Sequence, residues 1–171
     1  MKTFSSFSAF TKHMKTVVES YPEKEIKACN IFGELLVKSA KSKIGHLQEG
    51  RGPFESWPPL AESTIADKVN KGYAFNSEYN PLLRTGEMRD SITYKFYPTV
   101  KKVVLGSDDI VMLYQEEGTF MNGKVHIPPR SVIGLTMFQA KEIACMIFGK
   151  FLQQWISGQP IRMSVRLTNY V

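Results

Sequence analysis

The chain has 171 residues, of which 43% are hydrophobic, 12% aromatic and 22% charged, the profile of a soluble globular protein of one domain. A domain of this size buries about two-thirds of the surface its unfolded chain exposes, so no disulfide or metal staple is needed. Lysine and arginine number 22 against 16 acids, a formal charge of +6, but they are spread along the chain instead of massed in a block, which marks a moderately basic surface ahead of a nucleic-acid footprint.

The N-terminal stretch MKTFSSFSAF has no apolar segment followed by a small-residue cleavage site, so it does not read as a signal peptide. The most apolar run, 143–148, is far shorter than the about 20 residues that cross a bilayer. Both features predict a cytoplasmic product without a membrane partner. The only cysteines, Cys29 and Cys145, lie in apolar helical patterns and are expected as reduced core thiols.

In chain order, Phe7, Phe10, Met14, Val17 and Tyr21 recur at spacings of three and four, predicting an amphipathic helix over 4–20 that ends before Pro22. A second helix follows at once. Pro22, Glu23 and Glu25 suit its N-terminal end, while Lys38, Lys41 and Lys43 suit its C-terminal end before Gly45. Its expected buried stripe is Ile26, Cys29, Phe32, Leu36, Ala40 and Ile44, with Gly33 admitting a close neighbour. These two helices form a unit over 1–44.

Residues 45–81 are rich in glycine, proline, asparagine and aromatics, with helical character only over 62–69. A connection this long is usually functional or disordered. Its aromatics Phe54, Trp57, Tyr73, Phe75 and Tyr79 argue for burial, either against a partner or as a lid over the subunit's own core.

The third segment, 82–171, starts with Thr85 as an N-cap for a short helix from Gly86 to about Ser91. Ile92, Tyr94 and Phe96 alternate with polar neighbours and lead through Pro98 to residues 102–106, a hairpin. Residues 110–117 read as a helical turn stopped by Gly118, and 123–130 as a loop with two prolines. Ile133, Met137, Ala140, Ala144, Ile147, Phe151 and Trp155 form one stripe of a long helix over about 131–157. Finally, Ile161, Met163, Val165 and Leu167 alternate with Arg162, Ser164, Arg166 and Thr168, a half-exposed strand. The fold class predicted is α+β: a small antiparallel sheet, made of the central hairpin and the C-terminal strand, packed against two to three long helices in a single domain.

Catalytic chemistry has little footing. His13, His46 and His126 are far apart and lack zinc spacing, there is no CxxC pair, and the glycines of GRG and GTFMNG match no phosphate or dinucleotide loop. No serine sits in a GxSxG elbow. Asp108 with Asp109 and Glu116 with Glu117 are neighbouring acids, but adjacent helical residues point apart. They suit a helix N-terminus and ion pairs better than paired-carboxylate catalysis. The expectation is a protein without cofactor, metal or catalytic residues.

Five short pieces remain: WPPLAEST (57–64), LLRTGEMRDSI (82–92), VVLGS (103–107), YQEEGT (114–119) and IPPRSVIGL (127–135). In this order they resemble the phage virion morphogenesis family, which includes tail completion proteins, and are similar in layout to small head-tail joining components. The resemblance covers about 57–150; the two N-terminal helices and the strand-like tail depart from it. It implies a non-enzymatic structural virion protein that completes the tail and joins it to the head, made in the host cytoplasm. The implied partners are copies of itself in a closed ring of six or another number, together with neck, connector and tail terminator proteins.

Within that resemblance the structural motif residues are Trp57, Leu83, Arg84, Thr85, Gly86, Arg89, Tyr114, Glu117, Gly118, Pro128, Pro129 and Arg130. Leu82 and Leu83 are expected in the core, and Glu116 or Glu117 is expected to pair with Arg84, Arg89 or Arg130. Candidate interface residues are Phe54, Trp57, Tyr73, Phe75 and Tyr79 in the aromatic segment, and Arg162 and Arg166 on the last strand, which either completes the subunit's own sheet or adds to a neighbour's. Two other readings stand beside this one: a basic nucleic-acid-binding protein, a weak form of which is compatible with DNA passing through a neck, and a transient assembly chaperone or small hydrolase.

Overall fold

A computed structural model describes residues 3–73 and 80–157. Among them lie six α-helices and four strands in mixed α+β order: α1 Phe7–Glu19, α2 Tyr21–Lys43, α3 Glu62–Asn70, α4 Glu87–Asp90, β1 Thr93–Tyr97, β2 Lys102–Gly106, α5 Ile110–Glu117, β3 Thr119–Met121, β4 Lys124–Ile127 and α6 Ile133–Ile156. The strands make two separate two-stranded antiparallel sheets, β1–β2 and β3–β4. The strand expected over 161–168, with Arg162 and Arg166, lies outside the described residues, as do Phe75 and Tyr79.

Helix α2 is the spine. Pro22 and Glu23 occupy its first turn, Lys41 and Lys43 its last, and Gly45 at φ 95° turns the chain away. It packs along α6 on one side and against β1–β2 on another. Leu35, Leu36 and Ala40 from α2 and Ile44 at its C-cap meet Ile143 and Ile147 from α6, Leu105 from β2, and Trp57, Met88, Ile92, Met112 and Val132 in one continuous core. Gly33 has the role its position suggested: a Cβ there would fall 2.2 Å from Tyr94 Cδ2, so only glycine lets β1 lie so close to the helix. Ile26, placed in the buried stripe from sequence, is exposed.

The β1–β2 register pairs Tyr94 with Leu105 and Phe96 with Val103, which puts these four on one face, toward α2. A 3-10 turn over Pro98–Val100 and a left-handed Lys101 close the hairpin. Helix α5 begins where Asp109 Oδ1 accepts from the Val111 amide at 2.8 Å and stops at Gly118, φ 74°, as the acid pair and the glycine indicated.

Four expectations need correction. The stretch 123–130 read as a loop instead begins with the turn and second strand of the β3–β4 hairpin, whose two-residue turn Asn122-Gly123 has φ of 51° and 72°, the mirror-image turn that matches strand twist. Along α6 the buried face is Leu135, Thr136, Gln139, Ala140, Ile143, Ile147 and Phe151, so Met137 points outward. Cys145, expected in the core, is exposed, whereas Cys29 is buried and desolvation pushes its thiol pKa up. Helix α1 also departs from its expected stripe, since only Val17 is buried and Phe7 is 83% exposed. It is held at its C-terminal half, where Trp155 Nε1 donates to the Val17 carbonyl at 2.7 Å and the Trp155 and Tyr21 rings lie 4.9 Å apart.

Candidate functional site

The motif segments converge. Residues 58–61 with the face of α3, residues 80–88, parts of α5 and residues 126–130 together line a cavity of about 810 Å³. Trp57 anchors the first of these segments: it is 5% exposed, inside the core, and its amide donates to the Gln48 carbonyl at 2.9 Å. As a candidate interface residue it is therefore corrected to an internal one. Phe54 is half-buried, edge-on to Phe138 with centroids 6.4 Å apart. The half-buried Tyr73 carries Arg84 over its ring at 4.9 Å, a cation–π contact.

The 82–92 corner is built largely as its residues suggested. Leu82, at φ 63°, and Leu83 are partly buried against the main core. Gly86, at φ 95°, is the backbone N-cap of α4, and a side chain there would need the left-handed region. The Thr85 hydroxyl accepts from the Glu87 amide at 3.4 Å and donates to the Glu87 carboxylate at 3.1 Å, so the threonine expected as the N-cap acts from one position before it. Met88 and Ile92 enter the core below it.

The charge pairing differs from expectation. Arg84 pairs with Asp67 at 2.7 Å and Arg89 with its neighbour Asp90 at 3.2 Å. Asp67 also holds Lys71 at 2.6 Å; the Lys71 hydrogen bond and then the two positive charges push its carboxyl below the usual range. Arg130 reaches no carboxylate among the described residues. It is 6% exposed, and its Nη2 donates to the Pro58 and Pro59 carbonyls at 3.1 and 3.3 Å, tying the tryptophan–proline motif to the proline–arginine motif. Its Nε has no hydrogen-bond partner, and burial pushes the pKa of the guanidinium down. Lys68, also buried, donates to the Asn80 carbonyl at 2.8 Å.

Glu116 has a different partner from the arginines proposed for it. Its carboxylate accepts from the Ser131 hydroxyl at 2.6 Å and from the amides of Val132, Ile133 and Gly134, the first turn of α6. Those amides have no partner within the helix, and the helix end favours negative charge. Next to this cap, the Arg130 amide donates to the Gln115 carbonyl at 2.6 Å. YQEEGT and IPPRSVIG are thus joined through a helix cap and main chain instead of an ion pair. Glu117 and Tyr114 face solvent, Pro128 is half-buried and Pro129 exposed. Gly118 is needed twice, for its φ and because a Cβ would lie 2.8 Å from the Ile127 carbonyl oxygen.

Sequence reasoning missed the Glu116 cap and the buried Lys43, which is 1% exposed and bonded to the Ser39 carbonyl and hydroxyl at 3.1 and 2.9 Å. The first needed the position of α6 relative to α5, which no local pattern encodes. The second was hidden because a lysine in a last helical turn ordinarily reads as a solvated dipole partner. Among the described residues, no group of three or more His, Cys, Asp and Glu side chains is placed to hold a metal, and no helix is long and apolar enough to cross a membrane. The arrangement locks three loops and the start of α6 around a cavity with two buried cations in its wall. No protein-family model, no curated protein and no solved structure matches the chain.

Proposed function

We propose that the chain is a non-enzymatic assembly subunit of a phage virion, acting at the tail end where tail joins head and working by protein–protein contacts within a closed ring. The motif series that resembles tail completion proteins supplies the identity of the assembly. The observation that carries the assembly role is the apolar surface a lone subunit leaves in water. Phe7 and Val18 on α1, Ile110 and Leu113 on α5, and Phe120, Met121 and Val125 on β3–β4 are all exposed, with Phe120 at 70%. Scattered exposed apolar residues are ordinary, but a short hairpin with this many is poorly stable alone and gains by being covered.

In this reading the cavity wall and the Glu116 cap set the angle at which α5 and β3–β4 leave the core, and the exposed hairpin and α1 meet neighbouring subunits. A ring needs two different patches on each subunit, one for each neighbour. Size-exclusion chromatography with light scattering tests this, on the chain alone and mixed with purified tails or connectors. A discrete ring, or stable capture by tail ends, is expected. A strict monomer that binds neither overturns the proposal.

A further inference from the structure

Two buried polar atoms in the cavity region have opposite needs. Arg130 Nε is a donor without an acceptor, and Gln115 Oε1 is an acceptor without a donor; both residues line the cavity. Buried groups of this kind are normally paired, with protein or with ordered water, and neither atom has a protein partner among the described residues. Arg130 also lacks a counter-charge: Arg84 and Arg89 each hold a carboxylate, but none reaches Arg130 among the described residues. Pro58, Leu60, Leu83, Met88 and Val111 supply the apolar part of the wall, while its carboxylates, Asp67, Glu87 and Asp109, form no ion pair with Arg130.

We propose that this cavity is a docking site for an extended segment of a partner protein that carries an acidic residue beside an apolar one. A peptide segment carries both kinds of partner, an N–H to donate to Gln115 Oε1 and a carbonyl or side-chain carboxylate to accept from the Arg130 guanidinium. A simple carboxylate such as hexanoate satisfies Arg130 alone, and inorganic phosphate, which can offer an O–H as well as an acceptor, has no apolar side chain for the rest of the wall. The apolar side chain takes the wall of Leu60, Leu83 and Met88. β4 adds a further feature: His126 and Ile127 line the cavity, and β4 pairs only with β3 among the described residues, so its other edge offers main-chain groups of the kind an incoming strand uses. The site stands on this geometry whatever assembly the chain belongs to.

The test uses the full-length, isotope-labelled chain and follows the Arg130 Nε–H resonance and the amides of Leu60, Ala61, His126, Ile127 and Arg130 by NMR. The probes are the capped peptides acetyl-Leu-Glu-Leu-amide and acetyl-Leu-Gln-Leu-amide, hexanoate and inorganic phosphate. The glutamate peptide is expected to give saturable shifts at these positions, with binding about tenfold tighter than the glutamine peptide and no saturable shifts from hexanoate or phosphate. Because Arg130 also ties the Pro58 and Pro59 carbonyls, the confirming variant is Gln115→Leu, which should keep the folded spectrum and weaken the glutamate peptide by about fivefold or more. Absence of saturable shifts, equal binding of the two peptides, or equal response to hexanoate or phosphate overturns the proposal. So does a Glu78→Gln variant that moves the Arg130 resonance unliganded and binds the glutamate peptide more tightly than wild type, because the chain itself would then fill the site.

Discussion

Removing the carboxylate of Glu116 gives the sharpest stability test of how α5 and α6 are joined. One side chain accepts from the Ser131 hydroxyl and from three amides at the start of a 24-residue helix that supplies much of the core. Loss of an ordinary N-cap costs about 1 kcal/mol and up to about 2. Hydrogen bonds to charged groups are worth about 1.5–3 kcal/mol each, but they do not add, and water reaches part of this half-buried site. Glu116→Ala is therefore expected to cost on the order of 3 kcal/mol, a fall in Tm of roughly 6–12 °C for a domain of this size. Glu116→Gln keeps one carbonyl acceptor but turns an NH2 toward an amide donor, and should cost about half as much, roughly 1–2 kcal/mol. The control is Glu117→Ala, at an exposed neighbour, expected within about 0.5 kcal/mol of wild type. Urea denaturation with circular dichroism measures all three. If Glu116→Ala falls below about 1 kcal/mol, or matches Glu117→Ala, the cap is not what holds α6 to α5.

Other perturbations read separate parts of the structure. Gly33→Ala places a methyl within the Tyr94 ring and should destabilise by about 1–3 kcal/mol despite alanine's better helix propensity, with Tyr94→Ala in the same chain recovering part of the loss; an unchanged midpoint would mean β1 does not lie on α2 as described. Lys43 has its pKa lowered from 10.5 to about 8, first by burial and then by the Arg51 charge, so between those values the unfolded chain holds the extra proton and stability should rise with pH, approaching about 3 kcal/mol in full. Lys43→Met should be more stable than wild type at pH 7 and lose most of that rise, which urea midpoints at pH 7 and 9.5 would show; equal slopes would count against a buried ammonium. Phe7→Ser and Phe120→Ser alter exposed residues and should leave monomer stability within about 0.5 kcal/mol while weakening self-association in sedimentation velocity.

Elements whose signals are local were legible in the sequence. The α2 spine follows from Pro22, the terminal charges and the Leu36–Ala40–Ile44 stripe, and the β1–β2 hairpin from the alternation at 92–96. α5 lies between an acid cap and a glycine stop, as Asp109 and Gly118 indicated. The β3–β4 hairpin was also written locally, in Asn122-Gly123, but three- and four-residue strands give too few alternations to stand out. Periodicity also identified α1 as amphipathic, yet it cannot say what covers an apolar face, and here most of that face is open. The site was harder still. The ordered motifs did meet in space, but the Arg–Glu pairs expected between them were replaced by Arg84–Asp67, by Arg130 on the proline carbonyls and by Glu116 on the α6 amides. Which acid a given arginine finds depends on tertiary placement, because any of several long side chains can satisfy the same charge.

The proposal that the chain is a permanent part of a virion is tested most directly by quantitative mass spectrometry of purified particles produced by the genome that encodes it. A lasting head–tail component should be present in every preparation of intact particles, in a constant ratio to the tail proteins, and should copurify with tail ends when heads are removed. If intact, infectious particles lack the chain, it is not a structural subunit of the neck, and a transient role in assembly would take its place.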